Sequence, residues 1–288
     1  MLDELIAHLG NVYQTVVLYA DVHKGTEVNY VTYRTCHFHV DFQVVEALYI
    51  VSENHRRCVF TRVAGRFLQE TYLSDIKNRN NIKNDAELEE LFSLLASNIG
   101  ALTNPNKLAN TFVSEKKVKI SHNTIKTYID YFIDSFLINR AIRYDIKGKK
   151  YIDTPFKYYF ADLGLRNALL NFRQVEPTHI MENIIYNHLL GEGYKVDVGS
   201  ITHYQKDSDG KTTRSVLEVD FVCNKGSERL YIQSAYSLPD EEKILQEQRS
   251  LTLTNDSFMK IILTTDNIPT HTTDNGIVIM NVFEYLLK

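Results

Sequence analysis

The chain has 288 residues, of which 44% are hydrophobic and 24% are charged. This composition is typical of globular proteins and excludes disorder, collagen and coiled coil, and the length allows about two domains. The formal net charge is -4, so no global basic field draws the whole protein to nucleic acid. The three cysteines are widely spaced without a CxxC pair, and the first residues lack the basic start of a signal peptide. We therefore predict a cytoplasmic protein without a membrane anchor, a disulfide framework or a zinc cluster.

The charge is unevenly distributed along the chain. Residues 107–150 contain 10 basic and 4 acidic side chains, a net charge of +6, between flanks of -4 and -6. A basic block of this kind is where a phosphate backbone would bind. The alternative is a solvated helical face.

The first predicted elements are helices. Asp85 begins a helix that runs to about Ile99 and ends at Gly100, because apolar side chains recur at helical spacing. A short helix follows the turn at Asn104-Pro105. A long helix with Ser121 as its N-cap then extends over SHNTIKTYIDYFIDSFLI. The polar face of this long helix carries His122, Asn123, Lys126, Thr127 and Asp130.

Two strand-like segments, RAIRYD and KYID, follow around a KGKK turn. The order helix, turn, helix and basic hairpin is that of a winged helix. We predict DNA contacts from His122, Asn123 and Lys126 on the helix and from Lys147, Lys149 and Lys150 at the wing tip. The alternative is that the same fold packs against another domain or binds a protein.

The last third of the sequence predicts an α/β sandwich around a mixed sheet. A helix over HIMENIIYNHLLGEGY precedes three strand-like segments, a helix, a further strand, and a closing strand and helix. In the strand SVLEVDFVC, the period of two places Glu218 and Asp220 on one face and Leu217, Val219 and Phe221 on the other. The simplest interpretation of Glu218 and Asp220 is two polar positions on a half-exposed strand.

This layout resembles the PD-(D/E)XK nuclease core. The resemblance places Glu182 at the helix carboxylate, Asp220 at the aspartate, Gln233 at the second acidic position and Ala235 at the lysine position. Such nucleases need carboxylates to hold Mg²⁺ and a lysine that helps to activate water. Because Gln233 is neutral and Ala235 offers no polar group, these positions are degenerate and we expect no catalytic residue. Asp220 and Glu182 would bind Mg²⁺ only weakly.

A relocated lysine is the way in which the nuclease site could be restored. Lys243 and Lys195 are the candidates that the sequence suggests. Separately, HFHVD alternates as a strand, so His37, His39 and Asp41, with His55, form a second candidate metal site. A solvent-facing strand is the commoner explanation of that pattern.

From about Glu70 the chain is similar to the carboxy-terminal region of bacterial AAA-like ATPases related to the archaeal ATPase group. The matching stretches include ETYLSDIKNRNNI, KISHNTIKTYIDYF, KYYFADLGLRNALL, EVDFV and LYIQSAYSL. The resemblance implies a drifted remnant of the end of an ATPase domain at 1–68, a helical winged-helix domain at 69–153 and a nuclease-like α/β domain at 154–288. Members of that family carry a GxxxxGK[ST] phosphate-binding loop, and this sequence contains no such motif.

These observations predict a non-catalytic DNA- or partner-binding module derived from an AAA-like ATPase. Two alternatives stay open: a metal-dependent nuclease with a rearranged site, and a recognition subunit that acts with a separate ATPase. The expected partners are duplex DNA, a separate ATPase or a second copy of the chain. No cofactor is expected apart from weakly bound Mg²⁺.

Overall fold

The computed structural model describes residues 21–24, 29–32, 64, 68–83, 85–174, 176–206 and 212–287. Helices and strands are mixed, which confirms the predicted α/β class. The chain divides into two compact units. The first comprises 1–98, 105–139 and 160–175, and the second comprises 99–104, 140–159 and 176–288. Across the described residues, every helix is too short or too polar to cross a membrane.

The described helices are α1 (Ser74–Arg79, after a π-helical turn at Leu68–Leu73), α2 (Asp85–Ser97), α3 (Pro105–Thr111, followed by a π-helical turn at Phe112–Lys116), α4 (His122–Asp134), α5 (Leu163–Leu169), α6 (Pro177–Gly191), α7 (Glu241–Thr252) and α8 (Val282–Leu286). The described strands are β1 (Asp21–Lys24), β2 (Asn29–Thr32), β3 (Ile138–Asp145), β4 (Lys150–Phe160), β5 (Lys195–Lys206), β6 (Thr212–Lys225), β7 (Glu228–Ser234), β8 (Met259–Thr264), β9 (His271–Thr272) and β10 (Val278–Asn281).

The first unit is built on the apolar faces of α2 and α4. The Phe92 ring of α2 lies 4.7 Å from the Phe132 ring of α4 and 5.2 Å from the Phe160 ring. Arg166 on α5 is fully buried, and its Nε donates to the Ala96 carbonyl at 2.9 Å. This bond gives a partner to one of the carbonyl groups that the last turn of a helix leaves unpaired.

The predicted helix α4 begins as expected and ends early. The Ser121 hydroxyl accepts a hydrogen bond from the Thr124 N–H at 3.0 Å, which confirms the N-cap. The helix stops at Asp134 because Phe136 adopts a left-handed conformation with φ of 57°. Its N–H donates to the Ile133 carbonyl and the Leu137 N–H donates to the Phe132 carbonyl, which is the Schellman arrangement. The Phe136 side chain is 83% exposed.

The second unit contains an eight-stranded mixed sheet in the order β4-β3-β5-β6-β7-β8-β10-β9. Three neighbouring pairs are parallel, namely β3 with β5, β7 with β8, and β8 with β10. Helix α6 contacts β5, β6 and β7, and α7 contacts β6, β7 and β8. The core under α7 includes Val219, Val222, Tyr231 and Leu251.

The compact units differ from the domains drawn from the sequence. The boundary at residues 153 and 154 falls inside β4, and most of the β3–β4 hairpin belongs to the second unit. The reason is hydrogen bonding: residues 143–145 of β3 pair in parallel with residues 198–200 of β5. Most of the segment 1–68 lies outside the described residues, and within it β1 and β2 form an antiparallel pair.

Candidate active site

The candidate site begins with the carboxylate of Glu182 on α6, which is 6% exposed. Its Oε1 accepts a hydrogen bond from the Lys157 ammonium at 2.7 Å and another from the Tyr159 hydroxyl at 2.5 Å. Lys157 and Tyr159 are two residues apart on β4, so both side chains project from the same face of the strand. Strand β4 therefore places two side-chain hydrogen-bond donors beside one buried carboxylate.

Two further carboxylates, from β6, complete the cluster around the Lys157 ammonium. The Lys157 Nζ lies 2.7 Å from Glu218 Oε1 and 3.9 Å from Asp220 Oδ1. The other carboxylate oxygen of Asp220, Oδ2, accepts from the Ser234 N–H at 2.8 Å. The side chain of Lys157 is 6% exposed, while that of Glu218 is 33% exposed. We call Lys157, Glu182, Glu218 and Asp220 the carboxylate–lysine cluster.

A β-bulge lies beside Asp220 and changes the side of the sheet on which Phe221 lies. The register between β5 and β6 shifts between Asp197 and Gly199 of β5, opposite Asp220 and Phe221 of β6. Phe221 therefore lies on the same side as Asp220, with its ring 6.1 Å from that of Tyr159. The strict alternation that the sequence predicts, with Phe221 opposite Asp220, is wrong. An extra residue in one strand breaks the period of two, and such bulges are frequent beside functional sites.

The three carboxylates determine the protonation of the cluster. Burial opposes the charge of Lys157, but the attraction of Glu182, Asp220 and Glu218 outweighs it and raises the pKa of Lys157. Burial, and after it the charge of Glu182, raises the pKa of Asp220 to about 8, although Lys157 and the Ser234 N–H act in the opposite direction. Burial and Glu182 also hold the pKa of the Tyr159 hydroxyl well above its usual range. Lys157 thus stays protonated, and Asp220 keeps its proton to a higher pH than an ordinary aspartic acid does.

Gln233 and Ala235 lie apart from the cluster. Gln233 Oε1 accepts a weak hydrogen bond from the Asp220 N–H at 3.4 Å and another from the Ser250 hydroxyl of α7 at the same distance. Ala235 is 3% exposed and packs in the core beside Leu251. Both residues thus face α7, whereas the cluster faces α6. Their side chains pack between the strands and α7, and neither belongs to the carboxylate–lysine cluster.

Neither of the two lysines suggested as substitutes from the sequence lies in the cluster. The Lys195 ammonium donates to the Tyr151 hydroxyl at 2.8 Å, and the Lys243 ammonium pairs with Glu247 one turn along α7 at 2.6 Å. The lysine that lies in the carboxylate–lysine cluster is Lys157. The sequence signal for it was available, because Lys157 stands between Phe156 and the aromatic run Tyr158–Phe160. A lysine in an apolar strand needs a buried partner.

Within the described part of the chain, no group of three or more His, Cys, Asp or Glu side chains is placed to hold a metal ion. In the carboxylate–lysine cluster the ammonium lies among the oxygens that a cation would need. The second candidate metal site, with His37, His39, Asp41 and His55, lies outside the described residues.

The predicted DNA-contacting residues are all exposed. His122, Asn123 and Lys126 lie on the first turns of α4, in the first unit. Lys147, Lys149 and Lys150 lie at the turn between β3 and β4, in the second unit, where the Gly148 N–H donates to Asp145 Oδ1 at 2.9 Å. None of these three lysines forms an ion pair with another described side chain. They are therefore free to meet an anionic surface.

The relatives that match this chain are described as uncharacterized proteins. A model of a domain of unknown function, DUF8612, matches residues 49–176. An uncharacterized protein of Haemophilus influenzae is 33% identical over 255 residues, which cover 85% of this chain and 59% of that protein. The uncharacterized protein MJ1544 of Methanocaldococcus jannaschii is 27% identical over 177 residues, which cover 62% of this chain and 37% of that protein. The match therefore spans little more than half of the first relative and little more than a third of the second.

Among solved structures, the chain matches protein VC1899 from Vibrio cholerae with 11% sequence identity, covering 79% of this chain and 58% of that one. The TM-score of this match is 0.27, which is too low to indicate a shared fold.

Proposed function

We propose that this chain is a non-catalytic nucleic-acid recognition module, built on a nuclease-like sheet whose metal site is filled by the Lys157 ammonium. The observation that carries the proposal is the pair of 2.7 Å contacts from this ammonium to Glu182 and Glu218. A divalent cation would have to displace a buried lysine that is itself paired. Removing such a charge from its partners costs about 3–5 kcal/mol.

The chemistry of the site supports the same conclusion. Metal-dependent hydrolysis needs open coordination positions for water and for the scissile phosphate. Here one oxygen of Glu182 is shared by Lys157 and Tyr159, and one oxygen of Asp220 is held by the Ser234 N–H. The Lys157 ammonium lies between Glu182, Glu218 and Asp220, where a Mg²⁺ ion held by one or two carboxylates and several waters would have to sit.

The same lysine also favours a second candidate function, a nuclease in which Lys157 replaces the lysine absent at Ala235. In that case Lys157 would orient the attacking water and Glu218 would supply the missing acid. The exposed third of the Glu218 side chain is the route by which a metal ion would enter.

Plasmid cleavage separates the two functions. We expect supercoiled plasmid to stay intact when it is incubated with the purified chain in about 5 mM Mg²⁺ or Mn²⁺. Cleavage that disappears in both Asp220→Ala and Lys157→Met would establish the nuclease instead. Lys243→Met is the matched control, because Lys243 is paired on α7 and lies outside the cluster.

The surface that we propose for duplex binding is the β3–β4 turn of the second unit, which lies within the basic segment 107–150. Its support is the net charge of +6 and the three exposed lysines at the β3–β4 turn. Each phosphate contact by a lysine contributes about -0.9 to the slope of log affinity against log salt. Lys147, Lys149 and Lys150 together would contribute about -2.7.

Fluorescence anisotropy with a labelled duplex at several salt concentrations tests this surface. Changing Lys147, Lys149 and Lys150 together to Ala should flatten the slope by about 2.7 without loss of folded protein, since these side chains are exposed. A wild-type protein that fails to bind duplex at low salt would refute the duplex proposal and leave a partner-binding role. An unchanged slope in the triple variant would move the surface elsewhere, with Lys126 on α4 as the next position to change.

The resemblance to the carboxy-terminal region of AAA-like ATPases suggests the setting in which such a module would act. This sequence contains no phosphate-binding loop, so nucleotide hydrolysis would come from an ATPase domain outside it. Pull-down with the tagged chain as bait, with the triple lysine variant as the comparison, tests whether the partner is a protein, and an ATPase among the retained proteins is the expected result.

A further inference from the structure

Strands β5 and β6 continue beyond the rest of the sheet as a two-stranded ribbon. Strand β3 pairs with β5 only as far as Ser200, and β7 pairs with β6 only from Phe221 onward. Among the strands that the structure describes, β6 is the only partner of residues 201–206, and β5 is the only partner of residues 212–219. We call these two segments the β5–β6 arm. The outer edge of β6 in this arm therefore presents backbone N–H and C=O groups that no described strand pairs.

The sequence of this edge suits the addition of another strand. Residues 213–219 read TRSVLEV and contain none of the proline, glycine or lysine residues that often keep a sheet edge from pairing. Threonine and valine are typical of strands. The pairing of residues 212–219 with β5 is regular, so no bulge bends this edge away. Val216, at the centre of the segment, is 49% exposed.

The side chains along this edge are complementary to those of a second copy of the same edge. Antiparallel pairing of two β6 edges about Val216 places Arg214 of each copy opposite Glu218 of the other, and Val216 opposite its own equivalent. These three residues alternate along β6 and project from one face. Opposite charges at such positions stabilise an antiparallel pair, and like charges destabilise it. A slip of two residues would lose both ion pairs, and a slip of four would oppose like charges, so one register is favoured.

The pairing of β5 with β6 extends these contacts across the arm. Tyr204 lies opposite Arg214, and Ser200 lies opposite Glu218. In the paired arms, one row across four strands would contain Tyr204 and Arg214 of one copy, then Glu218 and Ser200 of the other. Tyr204 is 62% exposed, so its ring is available to cover the Arg214 side chain. Pairing would therefore also cover two exposed hydrophobic side chains of each copy, Tyr204 and Val216.

We propose that two copies of this chain join through the β6 edges of their β5–β6 arms. The occupant of each edge is a second copy because the charges and the central valine of residues 213–219 complement themselves. The Lys157 ammonium contacts Oε1 of Glu218, which leaves Oε2 for Arg214 of the other copy. Each copy thus contributes a cation to the rim of the other's carboxylate–lysine cluster and covers the exposed third of Glu218. This assembly does not depend on nucleic-acid binding.

Sedimentation equilibrium of the full chain at several protein concentrations tests the proposal, and we expect a dimer. Val216→Lys places two ammonium groups opposite each other and should weaken the dimer by about tenfold. Val216→Glu should do the same with two carboxylates. An equimolar mixture of these two variants should recover the dimer, because it places a lysine opposite a glutamate. The matched control is Val113→Lys, which changes a valine of the first unit that is 50% exposed and should leave the dimer unchanged.

Two further variants test the register. Arg214→Glu opposes two carboxylates at both ends of the pairing and should also weaken the dimer by about tenfold. Val216→Cys places two thiols opposite each other, so oxidation should give a covalent dimer on a non-reducing gel beyond any that the wild type or Val113→Cys forms. Thermal unfolding followed by circular dichroism shows that each variant is folded.

Three results would overturn the proposal. The first is a wild-type protein that stays monomeric at every concentration. The second is a dimer that Val216→Lys and Arg214→Glu weaken no more than Val113→Lys does, because the copies would then meet at another surface. The third is a mixture of the Val216→Lys and Val216→Glu variants that stays monomeric while Val216→Cys forms no additional covalent dimer.

Discussion

Replacing Lys157 by Met removes the one cation of the carboxylate–lysine cluster and keeps most of the volume of the side chain. In the wild type this ammonium lies 2.7 Å from Glu182 and Glu218 and 3.9 Å from Asp220. Glu218 is one-third exposed, so water would solvate its carboxylate after the change. Glu182 is buried, and most of the cost comes from it, because Asp220, with a pKa of about 8, is largely protonated at pH 7. Breaking a buried ion pair from one side costs about 3–5 kcal/mol, and we expect that loss for Lys157→Met at pH 7.

Urea unfolding followed by circular dichroism measures this free energy. Glu218→Gln is the matched control and should cost about 1 kcal/mol or less, because its partly exposed pair resembles a surface ion pair. Adding Glu182→Gln to Lys157→Met should recover part of the loss, since the double variant no longer buries that unpaired charge. Mn²⁺ should stabilise Lys157→Met and leave the wild type unchanged, if the ammonium stands where a cation would bind. If the free energy of unfolding of Lys157→Met lies within about 1 kcal/mol of the wild-type value, which is about the error of such a comparison, the buried pairing on which the proposed function rests is refuted.

Three further changes test other parts of the structure. The pKa of Asp220 is raised to about 8, so the folded state keeps a proton that the unfolded state releases above about pH 4. The free energy of unfolding of the wild type should therefore fall as pH rises from about 4 to 8, by at most about 1.4 kcal/mol per pH unit. Urea unfolding of Asp220→Asn at several pH values between about 5 and 8 should show no such fall in the free energy of unfolding. The same fall with pH in both proteins would contradict the raised pKa of Asp220. Phe136→Gly should stabilise the protein by about 1 kcal/mol, because glycine adopts the left-handed backbone conformation of residue 136 without strain, whereas Phe136→Ala should not stabilise it. Equal melting temperatures for the two variants would show that the backbone at residue 136 is not strained. Ser121→Ala should cost about 1 kcal/mol through loss of the N-cap bond to Thr124, and Ser121→Asp should retain stability.

The helices were predictable where local chemistry decides. Ser121 as a cap and the apolar stripe of α4 depend on residues within one or two turns, and both are present in the structure. The end of α4 was not predictable in the same way, since Phe136 occupies a position that usually belongs to glycine. The strands were also recognised by composition, although β4 continues to Phe160, well beyond the KYID segment.

The site was only partly predictable because it depends on long-range pairing. Glu182 and Asp220 were identified from the resemblance to a nuclease core, and the structure brings both to the Lys157 ammonium. The lysine itself was missed because it comes from β4, far from the position that the motif assigns to it. The bulge beside Asp220 was missed for a related reason: a register shift depends on how β5 and β6 pair, which the sequence of one strand does not contain.

The chain passes between the two compact units five times, after residues 98, 104, 139, 159 and 175. No single cut can therefore release either unit as an uninterrupted polypeptide. A deletion or gene fusion with its breakpoint between residues 98 and 175 would remove material from both units at once. Ribosomal synthesis delivers the pieces alternately, so the sheet of the second unit is complete only after the last helices of the first have been made. A breakpoint near residue 176 would separate Lys157 from Glu182, Glu218 and Asp220. The carboxylate–lysine cluster is therefore kept only when the segments on both sides of residue 176 are inherited together.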